Sequence, residues 1–297
     1  MMVTATESSE LRQKIDAEFP FEIYKGRMTG PDNLATPHFG LFRDDRTEDA
    51  CVGNAVRANY VPHTRDDVAA MSEAVVDAMG GVDYKIACHW NHGHNVTIGP
   101  TKEYRASVIN DRDSIWPRFV LNAGYGGRAF SASLGLYRDV CSNLQMVRSA
   151  GQSISASIRH TSGLRPRIAD LIEQFQGLLA EWQGVVTTAQ EMQSRTLAVD
   201  EYLAEVFPKI GSDNKRESDN ARRRIRSVVM RVSRERQRLG LAMGDLGQAT
   251  AWELYNGVQG YAQHEMPRRG NPSQYERALK SLDESIVAKA MELSLAS

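Results

Sequence analysis

Between residues 168 and 192 apolar side chains recur every third or fourth position: Ile168, Leu171, Ile172, Phe175, Leu178, Leu179, Trp182, Val185, Val186, Ala189 and Met192. At about 3.6 residues per turn they form one continuous stripe over about seven helical turns. A stripe of that length must be covered by other elements, which constrains the C-terminal half to a helical assembly. The period persists downstream. The spacing predicts helices over 200–207, 220–243 and 249–264 and a break at Pro267 and the following Arg-Arg-Gly-Asn-Pro run. A last helix is expected from Ser273, aligning Tyr275, Ala278, Leu282 and Ile286.

Upstream of Pro166 the period changes. Residues 1–18 are largely polar, with Leu11 and Ile15 the one pair at helical spacing, and read as an arm or a short helix. Residues 38–45, 51–64, 84–99 and 103–111 alternate and are broken by Gly, Pro and Asn, as strands and their turns are. One helix over 65–79 interrupts them, with Thr64 as N-cap, Asp66 and Asp67 in the first turn, Val68, Met71, Val75 and Met79 on one face, and Gly80-Gly81 as the stop. A small-residue stretch over 122–133 precedes expected strands at 134–140 and 153–160. The chain therefore reads as an α+β fold, with an antiparallel β-sheet body in the N-terminal half and a long-helix C-terminal half. The expected organisation is an arm over 1–18, an α+β domain over 19–165 and a helical region over 166–297.

Thirty-six basic side chains face 37 acidic ones, so the chain as a whole exerts no pull on a polyanion, and any such pull must come from local clustering. Cys51, Cys88 and Cys141 form no C-x-x-C pair and suit reduced thiols in a cytoplasm. The N-terminus lacks an apolar core of signal-peptide type, and no run of about 18 apolar residues exists, so neither a leader nor a membrane partner is expected. No cofactor is expected either: the phosphate-cradling G-x-x-x-x-G-K-[ST] pattern is absent.

Local clustering is strongest between Lys209 and Arg238, where eleven basic side chains stand against four acidic ones, a net charge of +7. Arg222, Arg223, Arg224, Arg226, Arg231 and Arg234 carry most of it. A guanidinium fork matches phosphate, and each neutralised phosphate releases counterions. On a helix Arg223, Arg226 and Arg234 share a sector, with Ile225, Val228, Val229, Val232 and Leu239 opposite. A solvated face, or one paired with Glu173, Glu181 and Glu191, accounts for the same charges.

A second cluster gathers Arg118, Tyr125, Arg128, Arg138, Arg159 and His160 around Gly124, Gly126 and Gly127. Single-strand binders combine cationic grooves with aromatic platforms, and glycine permits close approach. A tight turn over core aromatics explains the pattern equally. A third cluster, Cys88, His89, His92 and His94, holds four potential metal ligands within seven residues; on a strand His92 and His94 would share a face. A metal-dependent nuclease would need carboxylates from elsewhere, and Asp111 and Asp113 are the candidates taken from the sequence. A polar hairpin with exposed histidines is the plainer account. Cys141 with His160 could be imagined as a nucleophile pair, although a small buried thiol is commoner. Trp252, Leu254, Tyr255 and Val258 sit at helical spacing, as core residues do.

Three segments, in order, resemble the phage/plasmid-like family. They are LFRDDRTEDACVGNAVRANYVPHTRDDV at 41–68, LNAGYGGRAFSASLGLYRDVCSN at 121–143 with IRHT at 158–161, and TAWELYNGVQGYAQH at 250–264. The resemblance implies genes carried by phages, prophages and plasmids near DNA metabolism, with no established activity. The family usually has an acidic or polar residue where Gly-Tyr-Gly-Gly stands at 124–127, and the Cys88 to His94 cluster lies outside its pattern.

The expectation is a DNA-binding protein of a mobile genetic element, acting in the host cytoplasm. It would bind single-stranded more than double-stranded DNA, in annealing, recombination or replication, as a homo-oligomer. Two alternatives stay open. One is a metal-dependent nuclease centred on His89, His92 and His94. The other is an oligomeric interaction or anti-defence factor without enzymatic activity, using the 168–192 stripe as an intersubunit surface.

Overall fold

The computed structural model describes residues 3–5, 8–45, 52–80, 82–90, 92–100, 104–109, 113–138, 141–145, 155–180, 182–241, 246–267, 277, 281 and 284–296. At 3–5, 8–9, 133–138, 141–145, 155–157, 171 and 174–180 it describes the backbone. The chain is a mixed α and β protein with antiparallel sheets in the N-terminal half and helices in the C-terminal half, as the two periods require. It divides into two compact units. The first comprises Met1–Tyr104, Pro117–Leu134 and Ser153–Glu181; the second comprises Arg105–Trp116, Gly135–Gln152 and Trp182–Ser297.

In the first unit, β1 (Val3–Ala5) and α1 (Ser8–Glu18) precede a hairpin of β2 (Ile23–Thr29) and β3 (Ala35–Arg43), paired from Ile23–Arg43 to Thr29–Ala35. Leu11 and Ile15 of α1 are fully buried. Helix α2 (Arg65–Ala78) begins at Thr64, whose hydroxyl accepts from the Asp67 amide while the Asp67 carboxylate accepts from the Thr64 amide. This reciprocal cap satisfies two amide donors of the first turn. Val68, Met71 and Val75 then face the core, and Gly80 ends the helix at φ 73°. Ion pairs from Arg12 to Asp66 and Glu73, and from Arg65 to Asp16 and Glu22, join α1 and its exit to α2. Strands β4 (Tyr84–Trp90) and β5 (Gly93–Pro100) form a hairpin. The sheet continues through β7 (Asp113–Gly124), β8 (Phe130–Arg138) and β10 (Ser155–Ile158) in the order β1-β4-β5-β7-β8-β10. Helix α3 (Leu164–Ala180) follows.

Two readings of the pattern need correction here. Residues 52–64 make no strand: a single bridge joins Val56 to Phe39, Gly53 turns at φ 79° and residues 53–55 and 57–59 are exposed. Cys51 lies outside the described residues. Strand β7 escaped the alternation test because its residues are buried almost without interruption, which removes the period-2 signal.

In the second unit β6 (Ala106–Ile109) pairs with the first residues of β7, and β9 (Cys141–Gln145) with the last of β8. The 168–192 stripe is described as α3 and α4 (Trp182–Ser194), on either side of residue 181. Next come β11 (Thr196–Ala198), α5 (Val199–Val206), α6 (Lys215–Arg238), β12 (Gln248–Thr250), α7 (Ala251–His264) and α8 (Ser285–Leu295), with β11 and β12 antiparallel. Helix α7 is buried along its whole length from Ala251 to Gln263, with Trp252 and Leu254 fully enclosed and Tyr255 nearly so. The Trp252 indole donates to Asp113 Oδ2 at 3.2 Å, both groups being buried. Arg195 donates to the Ser294 carbonyl at 2.8 Å and to that of Ala296, closing the C-terminal end of α8. Tyr275, Ala278 and Leu282 of the last expected helix lie outside the described residues. Among the described residues no helix is long and apolar enough to cross a membrane.

Candidate nucleic-acid interface

Helix α6 begins where the Asn214 side chain accepts from the Arg216 and Glu217 amides. It ends at Gly240, φ 63°, whose amide donates to the Gln237 carbonyl while that of Leu241 reaches back to Arg236. These local bonds shift the helix N-terminal to the span its apolar spacing predicts. One face is buried: Ala221, Val228, Val232 and the C-cap Leu239, flanked by half-buried Ile225 and Val229. The packing against α7 is close. A Cβ on Gly257 would meet the Val228 and Val232 methyls at 3.0 Å, so glycine sets the separation of the two helices.

The basic side chains have two fates. Lys209 donates to Glu217 at 2.9 Å, and Arg231 Nε donates to Glu265 at 2.7 Å. Arg236 holds both oxygens of Glu253 at 2.7 and 2.8 Å. Arg222, Arg223, Arg224, Arg226 and Arg234 are exposed, and among the described residues none has a carboxylate partner. The carboxylates that neutralise Arg231 and Arg236 come from α7 and its C-cap; Glu181 lies outside the described residues. A cleft of about 450 Å³ opens beside this face, lined by Arg223, Arg224, Arg226, Met230, Tyr261 and Glu265 among others.

The second cluster is divided in the first unit. Arg159 is exposed, Arg118 and Arg128 are half-buried, and Arg138 is described in its backbone alone. Tyr125 is 1% exposed and His160 5%, so neither forms the surface platform their sequence setting suggested. The glycines explain why. A Cβ on Gly126, φ 61°, would sit 2.3 Å from the Asn54 amide nitrogen, so what approaches this turn is the chain's own 53–54 backbone. Gly126→Ala is expected to cost about 1–3 kcal/mol, seen as a lower urea midpoint at unchanged slope. An unchanged midpoint would show that the turn gives way.

Inside that turn lies a cluster that the spacing did not reveal. His63, entering α2, places Nε2 3.0 Å from Nδ1 of His94, and the His63 ring stacks on Tyr125 at 4.0 Å between centroids. His160 lies 5.2 Å from His63 and stacks on Tyr60 at 4.8 Å. Phe19, Phe21 and Trp90 enclose His94. Tyr125 donates to the His63 carbonyl at 2.9 Å, which leaves its lone pair facing His94 Nδ1 at 3.4 Å. This assigns the Nδ1 proton to His94, donated to His63. Nδ1 of His63 and Nε2 of His94 have no hydrogen-bond partner among the described residues. Burial, then the neighbouring imidazoles, hold His63 well below its ordinary pKa. Burial, with Arg65 and Arg43, takes His94 to about 3. Burial lowers His160 against the pull of the Val61 and Gly124 carbonyls.

The sequence-predicted metal candidates do not come together. His89 is exposed on β4 opposite Asn95, whereas His94, opposite Trp90, is buried; His92 sits in the turn at φ 52°, off the strand. Among the described residues no group of His, Cys, Asp and Glu is placed to hold a metal ion. Asp113 is taken by Trp252, while Asp111 and the Cys141 side chain lie outside the described residues.

No curated protein and no solved structure matches the chain. The model of one family, described as a domain of unknown function, DUF932, matches residues 54–283, from the segment entering α2 to the approach to α8. That match takes in most of the chain, which therefore belongs to the DUF932 family.

Proposed function

We propose that this chain is a DNA-binding protein of a mobile genetic element of the phage or plasmid kind, gripping a single strand along α6. The observation that carries the reading is the split among the arginines: Arg231 and Arg236 are neutralised within the fold, while Arg222, Arg223, Arg224, Arg226 and Arg234 project from the same helix with no carboxylate partner among the described residues. Thirteen residues from Arg222 to Arg234 rise about 18 Å along the helix axis, and their five guanidinium groups can neutralise up to about five phosphates. Met230 is 47% exposed amid these charges, a contact that suits an unstacked base better than a duplex backbone. The nuclease alternative draws no such support, since His89 and His94 do not converge.

Binding of a labelled oligonucleotide across salt tests the reading. Five phosphate contacts predict a log K against log salt slope of about −3.5 for a single strand. Replacing Arg223, Arg224 and Arg226 together with Ala should reduce that slope by about 2. A flat salt dependence, or a triple variant that binds as the wild type does, would dismiss it.

A further inference from the structure

We infer that the cleft between α6 and the C-terminal end of α7 holds one unstacked nucleotide of the bound strand and favours bases that carry an exocyclic amine. The inference rests on the DNA reading and adds a base preference to it. The cleft has three chemically distinct parts. Arg223 and Arg226 supply a cationic wall suited to phosphate. Met230, 47% exposed, supplies apolar surface, and Tyr261, 7% exposed, borders the cleft from the core. Glu265 supplies a carboxylate at the α7 end. Its volume, about 450 Å³, is in the range of small-molecule sites.

Glu265 decides the preference. One oxygen accepts from Ser227 and the other from Arg231 Nε at 2.7 Å, which fixes the carboxylate in place. Burial pushes its pKa up, but these two hydrogen bonds and the Arg231 charge bring it below the ordinary value, so the group is anionic at neutral pH. Its side chain is 38% exposed, and an ionised carboxylate offers about four acceptor sites, two of which these bonds occupy. Cytosine, adenine and guanine can each donate an amine to it. Thymine presents carbonyl oxygens on both sides of its single ring N–H and is repelled.

The test compares oligo(dC) and oligo(dT) of equal length by fluorescence anisotropy at fixed salt. The expected result is about tenfold tighter binding of oligo(dC). Glu265→Gln, which keeps the size of the side chain but can donate to a carbonyl, should reduce the ratio to about twofold or less. Arg222→Ala, outside the cleft, should weaken both oligonucleotides equally. Met230→Ala, at an exposed position, should weaken both while keeping the ratio. Free dCMP should bind far more weakly than oligo(dC); equal binding would reassign the cleft to a free nucleotide and overturn the inference. Equal affinity for the two oligonucleotides, or a preference untouched by Glu265→Gln, would overturn the pocket and leave the arginine grip standing. Failure of both oligonucleotides to bind would remove the two readings together.

Discussion

Glu253→Ala is expected to destabilise the second unit by about 3–5 kcal/mol, and Arg236→Ala by a similar amount, because each leaves a charge of opposite sign without its partner in a nearly closed site. The side chains are 4% and 12% exposed. Arg236 also donates to the Gln248 carbonyl at 3.0 Å, and Glu253 accepts from the Thr250 amide at 2.9 Å as part of the α7 cap. Loss of Glu253 therefore also leaves the Thr250 amide without its acceptor. Replacing both residues with Met should restore most of the loss, since a buried ion pair and an apolar pair of similar volume differ little. Acid gives an independent check. Burial alone would raise the Glu253 pKa, but Arg236 and Thr250 bring it below the ordinary carboxylate value. Its contribution is thus present above the unfolded pKa and lost as pH falls through the folded one. Urea midpoints measured at pH 7 and from about pH 5 down to 3 should show a slope in the wild type that is reduced in Glu253→Gln. A single substitution costing less than about 1 kcal/mol would mean that water reaches the pair.

What could be read from the sequence was local chemistry. Thr64 and Asp67 sit three residues apart, and their cap forms whatever the rest of the chain does. Trp252, Tyr255 and Val258 announced a buried helix face by spacing alone, and that face is buried. The ends of α6 were less legible. Leu241 and Met243 extend the apolar period past Gly240, yet the left-handed glycine stops the helix first. The charge of α6 was visible in sequence, but which of its arginines have a carboxylate partner among the described residues was not, because the neutralising carboxylates Glu253 and Glu265 belong to α7 and its C-cap. The histidine cluster was the least legible of all. His63, His94 and His160 lie about a hundred residues apart end to end, and antiparallel pairing brings them together. Reading His94 with its sequence neighbours His89 and His92 followed proximity along the chain, whereas strand geometry sends His89 to the other face.

Lowering the pH from 7 to about 4.5 should cost the first unit about 3 kcal/mol through His94 alone, with His63 adding to the loss in the same direction, a large fraction of the stability of many domains. His63 and His94 are held neutral in the folded chain, His94 down to about pH 3. Their pKa values lie below the unfolded value, so neither contributes a pH dependence above it. Below about pH 6.5 the unfolded chain takes up protons that the folded one refuses; His94 removes about 1.4 kcal/mol per further pH unit, and His63 acts in the same direction. The groups facing the pair sharpen the effect. Arg43 and Arg65 raise the cost of a charged His94, the aromatic rings of Phe19, Phe21 and Trp90 exclude water, and Asp67 acts on His160 and Tyr125 rather than on the pair. Amide exchange in β4 and β5 should therefore accelerate between pH 6.5 and 4.5, after correction for the intrinsic rate, while α6 and α7 hold until Glu253 titrates. His94→Phe fits the surrounding aromatic shell and removes the His94 titration, so it should reduce the slope by about 1.4 kcal/mol per pH unit. If protection in β4 and β5 stayed constant down to about pH 4.5, the imidazoles would have to accept protons inside the fold, with water or a reoriented ring reaching Nε2 of His94.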